Sequence, residues 1–334
     1  MSTVLCRRPF ERHAENGETS MTVKGSGAQV PRGPASSQPA DQLRELLTSD
    51  SLGFLMEAHS GLSAKIVQDE GFDAIWASGL SIATAFGVRD SNELSWTQVL
   101  DVVGSITEAV STPVLMDGDT GFGNFNNARR LVTSLCRMGV AGVCIEDKVF
   151  PKLNSFVGER HPLAEIDEFC GKIKACKDAQ TVPAFSVVAR VEALVAGHGF
   201  GEAMRRAEAY REAGADAVFI HSKETDGKEI LRFAQEWAER CPLIVTPTTY
   251  HTVPTNAFEE HGVSAVIWAN HMMRASIAAM RSACREIRQT RTVTGVEHSI
   301  APLSEVFELL GYRELEEASR RYLPQSVPLG EEAL

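Results

Sequence analysis

The chain has 334 residues and a formal net charge of −11, from 44 acidic and 33 basic residues. This length suits one large domain, since single (β/α) barrels commonly reach it. The acidic balance argues against a nucleic-acid partner, because binding to phosphate backbones needs a basic surface. A membrane span is not expected either, since no apolar run approaches the length that crosses a bilayer.

The seven cysteines are scattered and show neither paired nor metal-like spacing. An odd, dispersed set of this kind is typical of a reducing compartment, where thiols stay free. We therefore expect a cytoplasmic protein that acts on a small molecule, without disulfides.

Three regions differ in composition along the chain. Residues 1–40 are rich in Gly, Ser, Pro and charge and lack hydrophobic periodicity, which is typical of a disordered extension. Residues 41–300 carry a regular alternating pattern and are predicted to form the main domain. Residues 301–334 have an amphipathic pattern that begins near Leu303, and they are predicted to form a C-terminal helical segment used for packing or subunit contact.

Eight apolar segments alternate with helical patterns in the main domain. The predicted strands are 53–58, 74–78, 114–117, 142–146, 186–191, 217–221, 243–247 and 265–270. Helical patterns lie between them, for example at 126–138 and 201–213. Alternation of strand and helix predicts a parallel sheet, and eight repeats predict an α/β fold of the closed (β/α)₈ TIM-barrel type.

A glycine recurs just before every second predicted strand, at Gly71, Gly139, Gly214 and Gly262. Each lies between a helical pattern and a strand. Glycine is favoured one residue beyond a helix end, because it adopts the left-handed conformation without steric cost. The spacing therefore supports a barrel built from βα units.

Two of the predicted strands end abruptly in carboxylates. Asp117 and Asp119 follow the third strand, and Glu146 ends the fourth. Hard cations such as Mg²⁺ prefer oxygen ligands and usually keep several waters, so these acids are candidates to hold a metal. Both aspartates point the same way if the strand pleat continues through Gly118. Solvated loop acids are the alternative, but that requires a coincidence after two separate strands.

The other strands also end in polar residues, which a purely structural barrel does not need. They include Arg190, His221, Thr246 and Asn270. Any single one, such as His221, is explained equally well by a hydrogen bond within the rim. Catalytic residues of TIM barrels lie at the C-terminal ends of the strands, so the joint pattern predicts an active site there.

Several ordered motifs carry a resemblance to a known family. They are 76–80 (WASGL), 87–93 (GVRDSNE), 117–121 (DGDTG), 146–155 (EDKVFPKLNS), 188–193 (VARVEA) and 268–271 (WANH). Over residues 50–300 the chain resembles the phosphoenolpyruvate mutase/isocitrate lyase superfamily, and within it the phosphoenolpyruvate mutase family. The resemblance implies a (β/α)₈ barrel whose last helix is exchanged with a neighbouring subunit, giving homodimers and often homotetramers.

By this resemblance, four acids surround a magnesium ion. Asp117 binds or orients Mg²⁺, whereas Asp119 and Glu146 hold its water ligands. Asp90 belongs to the same outer shell and lies near the reacting groups. The resemblance thus agrees with the metal site that the strand ends suggest.

The family also implies a set of contacts to the substrate carboxylate. Trp76 would wall the pocket. The backbone N–H groups of Gly79 and Leu80, with the Ser78 hydroxyl, would cradle the carboxylate, and fixed donors of this kind suit an anion.

A third set would bind the phosphoryl group and close the site. Arg190 and His221 would grip the phosphoryl oxygens, because a guanidinium offers a planar fork of donors. Lys152, Asn154 and Ser155 lie after the fourth strand, on a loop that closes over the substrate in the family. An ordinary solvated lysine is the alternative for Lys152, but its motif argues against it.

The family resemblance implies an isomerase that moves a phosphoryl group of phosphoenolpyruvate from oxygen to carbon, the first step of phosphonate biosynthesis. One rival is phosphonopyruvate hydrolase, in whose loop a threonine stands where this chain has Asn154. A second is a carbon–carbon lyase acting on a 2-hydroxy acid, which carries a Lys-Lys-Cys-Gly-His segment that this chain lacks. A non-catalytic scaffold is a third.

Overall fold

The computed structural model describes residues 38–155, 162–238 and 240–324, and these belong to one compact unit, Ser37–Leu334. Almost all of the predicted disordered extension, residues 1–37, lies outside the described residues. The first helix begins at Pro39, within the last residues of the predicted extension. The region boundaries at 40 and 300 stay predictions.

Eight parallel strands close into a barrel in simple sequence order, from β1 to β8 and back to β1. They are β1 (Gly53–Ala58), β2 (Ala74–Ala77), β3 (Val114–Asp117), β4 (Gly142–Glu146), β5 (Ser186–Val191), β6 (Ala217–Ile220), β7 (Leu243–Val245) and β8 (Ala265–Trp268). The predicted (β/α)₈ fold is confirmed. Each strand starts where the hydrophobic pattern placed it, and its end differs by two residues at most.

The described residues also form twelve helices around and beyond the barrel. They are α1 (Pro39–Thr48), α2 (Gly61–Asp69), α3 (Gly79–Ala85), α4 (Trp96–Ala109), α5 (Phe125–Arg137), α6 (Ile166–Ala179), α7 (Phe200–Glu212), α8 (Lys228–Trp237), α9 (Thr255–Glu260), α10 (His271–Thr290), α11 (Leu303–Leu309) and α12 (Tyr312–Tyr322). Among these described helices, none is long and apolar enough to cross a membrane.

The recurring glycines do end helices, as their position predicted. Gly71, Gly139, Gly214 and Gly262 all have positive φ, between 73° and 106°. This left-handed conformation turns the chain from each helix into the following strand. The glycines therefore set the spacing of alternate βα units.

The barrel interior is a packed core that is closed at its N-terminal end. Inward-facing side chains such as Leu115, Val188 and Phe219 are at most 1% exposed. Leu43 and Leu47 of α1 pack against the same cluster from below. Burying each large apolar side chain contributes roughly 1.5–3 kcal/mol, so the lower barrel is a rigid base for the opposite rim.

The last two helices differ from the others in having no buried residues. They expose several apolar side chains, among them Leu303 at 71%, Leu315 at 56% and Tyr322 at 72%. An amphipathic helix normally buries its apolar face against another element. The exposed stripe marks a surface on the C-terminal helices that this protomer does not cover.

Candidate active site

All thirteen predicted site residues meet at the C-terminal rim of the barrel. One cavity is lined by ten of them: Trp76, Ser78, Leu80, Asp90, Asp117, Lys152, Asn154, Ser155, Arg190 and His221. The other three lie against this set through the contacts described below: Gly79, Asp119 and Glu146. The strands β2 to β6 and the loops after them bring together residues that are far apart in sequence.

Asp117 and Asp119 converge, but a turn rather than a continued strand pleat brings them together. Asp119 has a φ of +49°, and the Gly121 N–H donates to the Gly118 carbonyl across the turn. A Cβ atom placed on Gly79 would lie 3.1 Å from Asp117 Oδ2 and 3.2 Å from Asp119 Oδ1. Two carboxylate oxygens therefore lie close to the backbone of Gly79, an approach that a side chain at this position would crowd.

The four acids of the cluster, Asp90, Asp117, Asp119 and Glu146, are only partly neutralised, by Lys152 beside Asp90 and Asp119 and by Arg190 and Lys148 near Glu146. The pKa of Asp119 is raised to about 7, because burial and the neighbouring acids Asp117, Asp90 and Glu146 together outweigh the opposing effect of Lys152. Burial also raises the pKa of Glu146. Glu146 Oε1 has no hydrogen-bond partner among the described residues. Such a cluster favours an added cation, because like charges disfavour joint ionisation.

The donor set fits magnesium better than a tightly chelated metal. Among the described residues, no three acid, histidine or cysteine side chains are placed to ligate one ion directly. Mg²⁺ commonly uses one or two carboxylates and keeps several waters, which further acids can hold. The space beside Gly79 and the buried oxygens of Glu146 suit that arrangement.

The loop after β4, residues 149–155, is tied to the acid cluster through the side chain of Lys152. Its Nζ atom lies 2.5 Å from Asp119 Oδ1 and 2.9 Å from Asp90 Oδ1. Asn154 Nδ2 donates to Asp90 Oδ2 at 2.7 Å. Burial alone would raise the pKa of Asp90, but the Lys152 ammonium and the Asn154 amide hold it below its usual value.

Arg190 lies on β5 in a site of several carboxylates and one aromatic ring. Its Nε donates to Glu192 Oε1 at 2.5 Å and lies 3.5 Å from Glu146 Oε2. Its guanidinium carbon is 5.1 Å from the centre of the Phe219 ring, and Trp76 packs edge-on against that ring. The cation is thus held toward the cavity without losing its charge.

His221 follows β6 and is neutral at ordinary pH. Burial, together with the nearby Arg190 cation, lowers its pKa to about 3. A neutral imidazole can donate one ring N–H and accept at the other nitrogen. Beside Arg190, it supplies a donor without adding a second positive charge.

At the start of α3, the predicted carboxylate cradle also makes contacts within the protein. The Gly79 N–H donates to Asp117 Oδ2 at 3.2 Å, and Ser78 Oγ accepts from the Ser81 N–H. Ser155 Oγ contacts Arg190 Nη2 at 3.1 Å. These groups are close to the cavity, while their roles toward a substrate stay predictions.

Sequence reasoning missed three polar residues that hold the site together. They are Asn92, Lys148 and Glu192. Each lies inside a motif that carried the family resemblance, two positions after a predicted site residue. The burial of Lys148 and Glu192 could not be predicted from the sequence, because charged residues are mostly exposed.

The chain is similar to known proteins over most of its length. The family model described as phosphoenolpyruvate phosphomutase matches residues 43–288. The phosphoenolpyruvate phosphomutase of Tetrahymena pyriformis is 53% identical over 290 residues, which are 86% of this chain and 97% of that protein.

Two solved structures have the same fold. That of a phosphoenolpyruvate phosphomutase from Streptomyces platensis subsp. rosaceus superposes with a TM-score of 0.84 at 44% identity, covering 85% of this chain and 99% of that one. A phosphonopyruvate hydrolase in complex with oxalate and Mg²⁺ has a TM-score of 0.81 at 37% identity, covering 86% of this chain and 100% of that one.

Proposed function

We propose a function from one premise: the chain belongs to the phosphoenolpyruvate phosphomutase family. It is an isomerase that interconverts phosphoenolpyruvate and phosphonopyruvate by moving the phosphoryl group between oxygen and carbon of one molecule. The observation that supports this most directly is the buried acid cluster facing Arg190 across one cavity, beneath a loop with asparagine at position 154. The relatives named mutases have higher identity than the hydrolase.

The reaction breaks the oxygen–phosphorus bond of phosphoenolpyruvate and forms a carbon–phosphorus bond, with no gain or loss of atoms. Phosphoryl transfer passes through a loose transition state, so positioning and charge stabilisation supply most of the catalysis. The protein must hold the enolate and the migrating group separately but close together. It must also keep water away, because water would give pyruvate and phosphate instead.

We propose magnesium as the cofactor, held by Asp117 with Asp119, Glu146 and Asp90 around its waters. When bound, it would supply positive charge that stabilises the enolate. The supporting observations are the two oxygens that face Gly79 and the raised pKa values of Asp119 and Glu146. Backbone N–H groups at the start of α3 would bind the carboxylate from the other side.

Arg190 and His221 bind the phosphoryl group in this proposal. The Arg190 guanidinium keeps its charge, since the carboxylates of Glu192 and Glu146 outweigh the effect of burial and raise its pKa. The neutral imidazole of His221 adds a directed donor. Trp76 and Phe219 form the apolar wall that keeps the pocket shielded from solvent.

Asn154 favours the mutase hypothesis over the hydrolase hypothesis. Its amide donates to Asp90 from the loop, so it lies between the acid cluster and the cavity that it lines. We propose that it stabilises the migrating phosphoryl group, while Lys152 and Ser155 hold the closed loop against the rim. Cys144 does not support the carbon–carbon lyase hypothesis either. It lies within β4, where burial raises its pKa well above the ordinary value and keeps the thiol protonated.

The test is to incubate the purified protein with phosphonopyruvate and MgCl₂ and to follow the reaction by phosphorus NMR. The proposal expects the phosphonate signal to be replaced by that of phosphoenolpyruvate. Formation of inorganic phosphate with pyruvate would instead establish the hydrolase. Omitting MgCl₂ and adding a chelator should abolish turnover; full activity under those conditions would remove the metal from the proposal.

We also propose that the chain forms homodimers or homotetramers through its C-terminal helices. The support is the exposed apolar stripe of α11 and α12. The proposed role in phosphonate biosynthesis follows from the reaction, and the proposed cytoplasmic location rests on the unpaired cysteines among the described residues.

A further inference from the structure

Lys148 lies directly after β4 and is buried, with 1% of its surface exposed. Its ammonium has three partners within hydrogen-bond distance. The Leu153 carbonyl lies at 3.1 Å, Ser155 Oγ at 2.5 Å and Glu192 Oε2 at 3.1 Å. Two of these three partners belong to the loop 149–155. An ammonium has three donors, so the closed loop is needed to satisfy it.

Glu192 connects the same ammonium to Arg190. Its Oε1 accepts from Arg190 Nε at 2.5 Å, and its Oε2 accepts from Ser155 Oγ at 2.8 Å. Burial alone would raise the pKa of Glu192, but the Arg190 and Lys148 cations hold it far below its usual value. The carboxylate is therefore charged and shared between the loop and the guanidinium.

We infer that Lys148 and Glu192 form a positioning pair, which makes closure of the loop 149–155 and orientation of Arg190 one event. This inference rests on the proposed function, in which Arg190 binds the phosphoryl group. Neither Lys148 nor Glu192 lines the cavity among the described residues, so both act through other residues rather than on the substrate.

The energetic reason is the cost of burying charges without partners. If the loop leaves, Lys148 loses the Leu153 carbonyl and Ser155, and Glu192 loses Ser155 as well. A buried ion pair is favourable only when further hydrogen bonds satisfy its remaining donors and acceptors. The pair therefore favours the closed loop, and through Glu192 Oε1 it holds Arg190 Nε in place.

The test compares Lys148→Met with Lys177→Met. Methionine keeps the length and removes the donors. Lys177 pairs with Asp216 below the barrel, far from the loop, so its loss controls for removing a partly buried lysine. Hydrogen exchange is followed in the ligand-free proteins at the backbone amides of Val149 and Lys152, which donate to the Pro162 carbonyl and to Asn92.

The inference expects faster exchange at both amides in Lys148→Met and wild-type exchange in Lys177→Met. It also expects kcat on phosphonopyruvate to fall about 100-fold and KM to rise, because Arg190, which binds the phosphoryl group, is misplaced. The share of pyruvate among the products should rise. Unchanged exchange at Val149 and Lys152 in a folded Lys148→Met protein would overturn the inference, whatever the rate.

Glu192→Gln provides a second route if Lys148→Met does not fold. It keeps the shape but removes the charge shared by Lys148 and Arg190, and the same faster exchange and kcat loss are expected. Wild-type values for this variant would overturn the inference. If the wild-type protein does not convert phosphonopyruvate, the proposed function fails by itself, while the exchange comparison still decides whether the pair anchors the loop.

Discussion

Asn92 contacts the acid cluster and the loop through one amide group. Its Nδ2 donates to Asp119 Oδ2 and its Oδ1 accepts from the Lys152 N–H, both at 2.7 Å. The residue has a φ of +57°, a left-handed conformation that asparagine and aspartate tolerate better than most side chains. One side chain thus couples the position of the loop to the orientation of a proposed outer-shell acid.

Replacing Asn92 by aspartate should separate these two contacts. The variant keeps the acceptor and the backbone conformation, but it loses the donor and places a carboxylate beside Asp119. Hydrogen bonds to charged groups are worth about 1.5–3 kcal/mol, so we expect kcat/KM to fall roughly 10- to 100-fold. Asn124→Asp is the matched control in a steady-state assay, because asparagine and aspartate both serve as the N-cap of α5. Equal activity of the two variants would contradict the assigned contact.

The lowered pKa of His221 makes the free energy of unfolding depend on pH. Its pKa is about 3 in the folded protein and 6.5 for an ordinary histidine. Between these two pH values, the imidazole is protonated in the unfolded chain but neutral in the folded protein. The stabilising contribution of the neutral ring is therefore complete above pH 6.5 and is lost as pH falls toward 3. At pH 5 the loss is about 2 kcal/mol.

His221→Gln should remove this part of the acid sensitivity. Urea unfolding at pH 7 and pH 5 measures it, with exposed His198→Gln as the control. Between pH 7 and pH 5, the free energy of unfolding should fall by about 2 kcal/mol more in the wild type and the control than in His221→Gln. The same loss in all three proteins would show that the imidazole is not held neutral.

At the scale of elements, the first residue of α3 is placed against the turn after β3. The Gly79 N–H and the missing side chain leave room for the oxygens of Asp117 and Asp119. Here two loops of separate βα units meet, and the close approach requires glycine.

Gly79→Ala should therefore damage the proposed metal site more than the fold. The added Cβ would lie just over 3 Å from two carboxylate oxygens, and overpacking of this kind costs about 1–3 kcal/mol. We expect Mg²⁺ affinity, measured by calorimetry, to fall about tenfold or more. Gly171→Ala, which meets no atom within 4 Å on α6, should leave affinity unchanged. Wild-type Mg²⁺ affinity in Gly79→Ala would contradict the proposed metal site beside Gly79.

At the scale of the whole molecule, the C-terminal helices leave apolar surface that a second copy would cover. Leu303, Leu315 and Tyr322 are all more than half exposed on elements with no buried residue. Isolated short helices are marginal in water, so packing against another surface would explain their stability. The proposed homodimer or homotetramer provides that surface.

Leu315→Asp should weaken this assembly. Removing one leucine side chain that is buried in the assembly costs about 1.5–3 kcal/mol, and burying the new carboxylate costs additional desolvation energy. The dissociation constant of the assembly should therefore rise more than tenfold. Sedimentation equilibrium measures the change, with Glu317→Asp on the same helix as the control. A wild-type protein that sediments as a monomer at all concentrations would contradict the proposed assembly.

The barrel could be predicted from local sequence patterns, and most of the cavity from the motifs that carry the family resemblance. Strand starts, helix ends and the four glycine turns follow from local hydrophobic periodicity and backbone preference, which act within a few residues. The acids Asp117, Asp119 and Glu146 could be placed at one rim because parallel strands all deliver their ends to the same face.

The contacts between these side chains, in contrast, could not be predicted without the three-dimensional structure. Asp119 approaches Asp117 through a left-handed turn, not the continued pleat that its spacing suggested. The Lys148–Glu192 pair and the neutral state of His221 depend on contacts between loops that are distant in sequence. The physical reason is that charge pairing and desolvation depend on which groups come within a few ångströms in space, whereas periodicity reports only on neighbours along the chain.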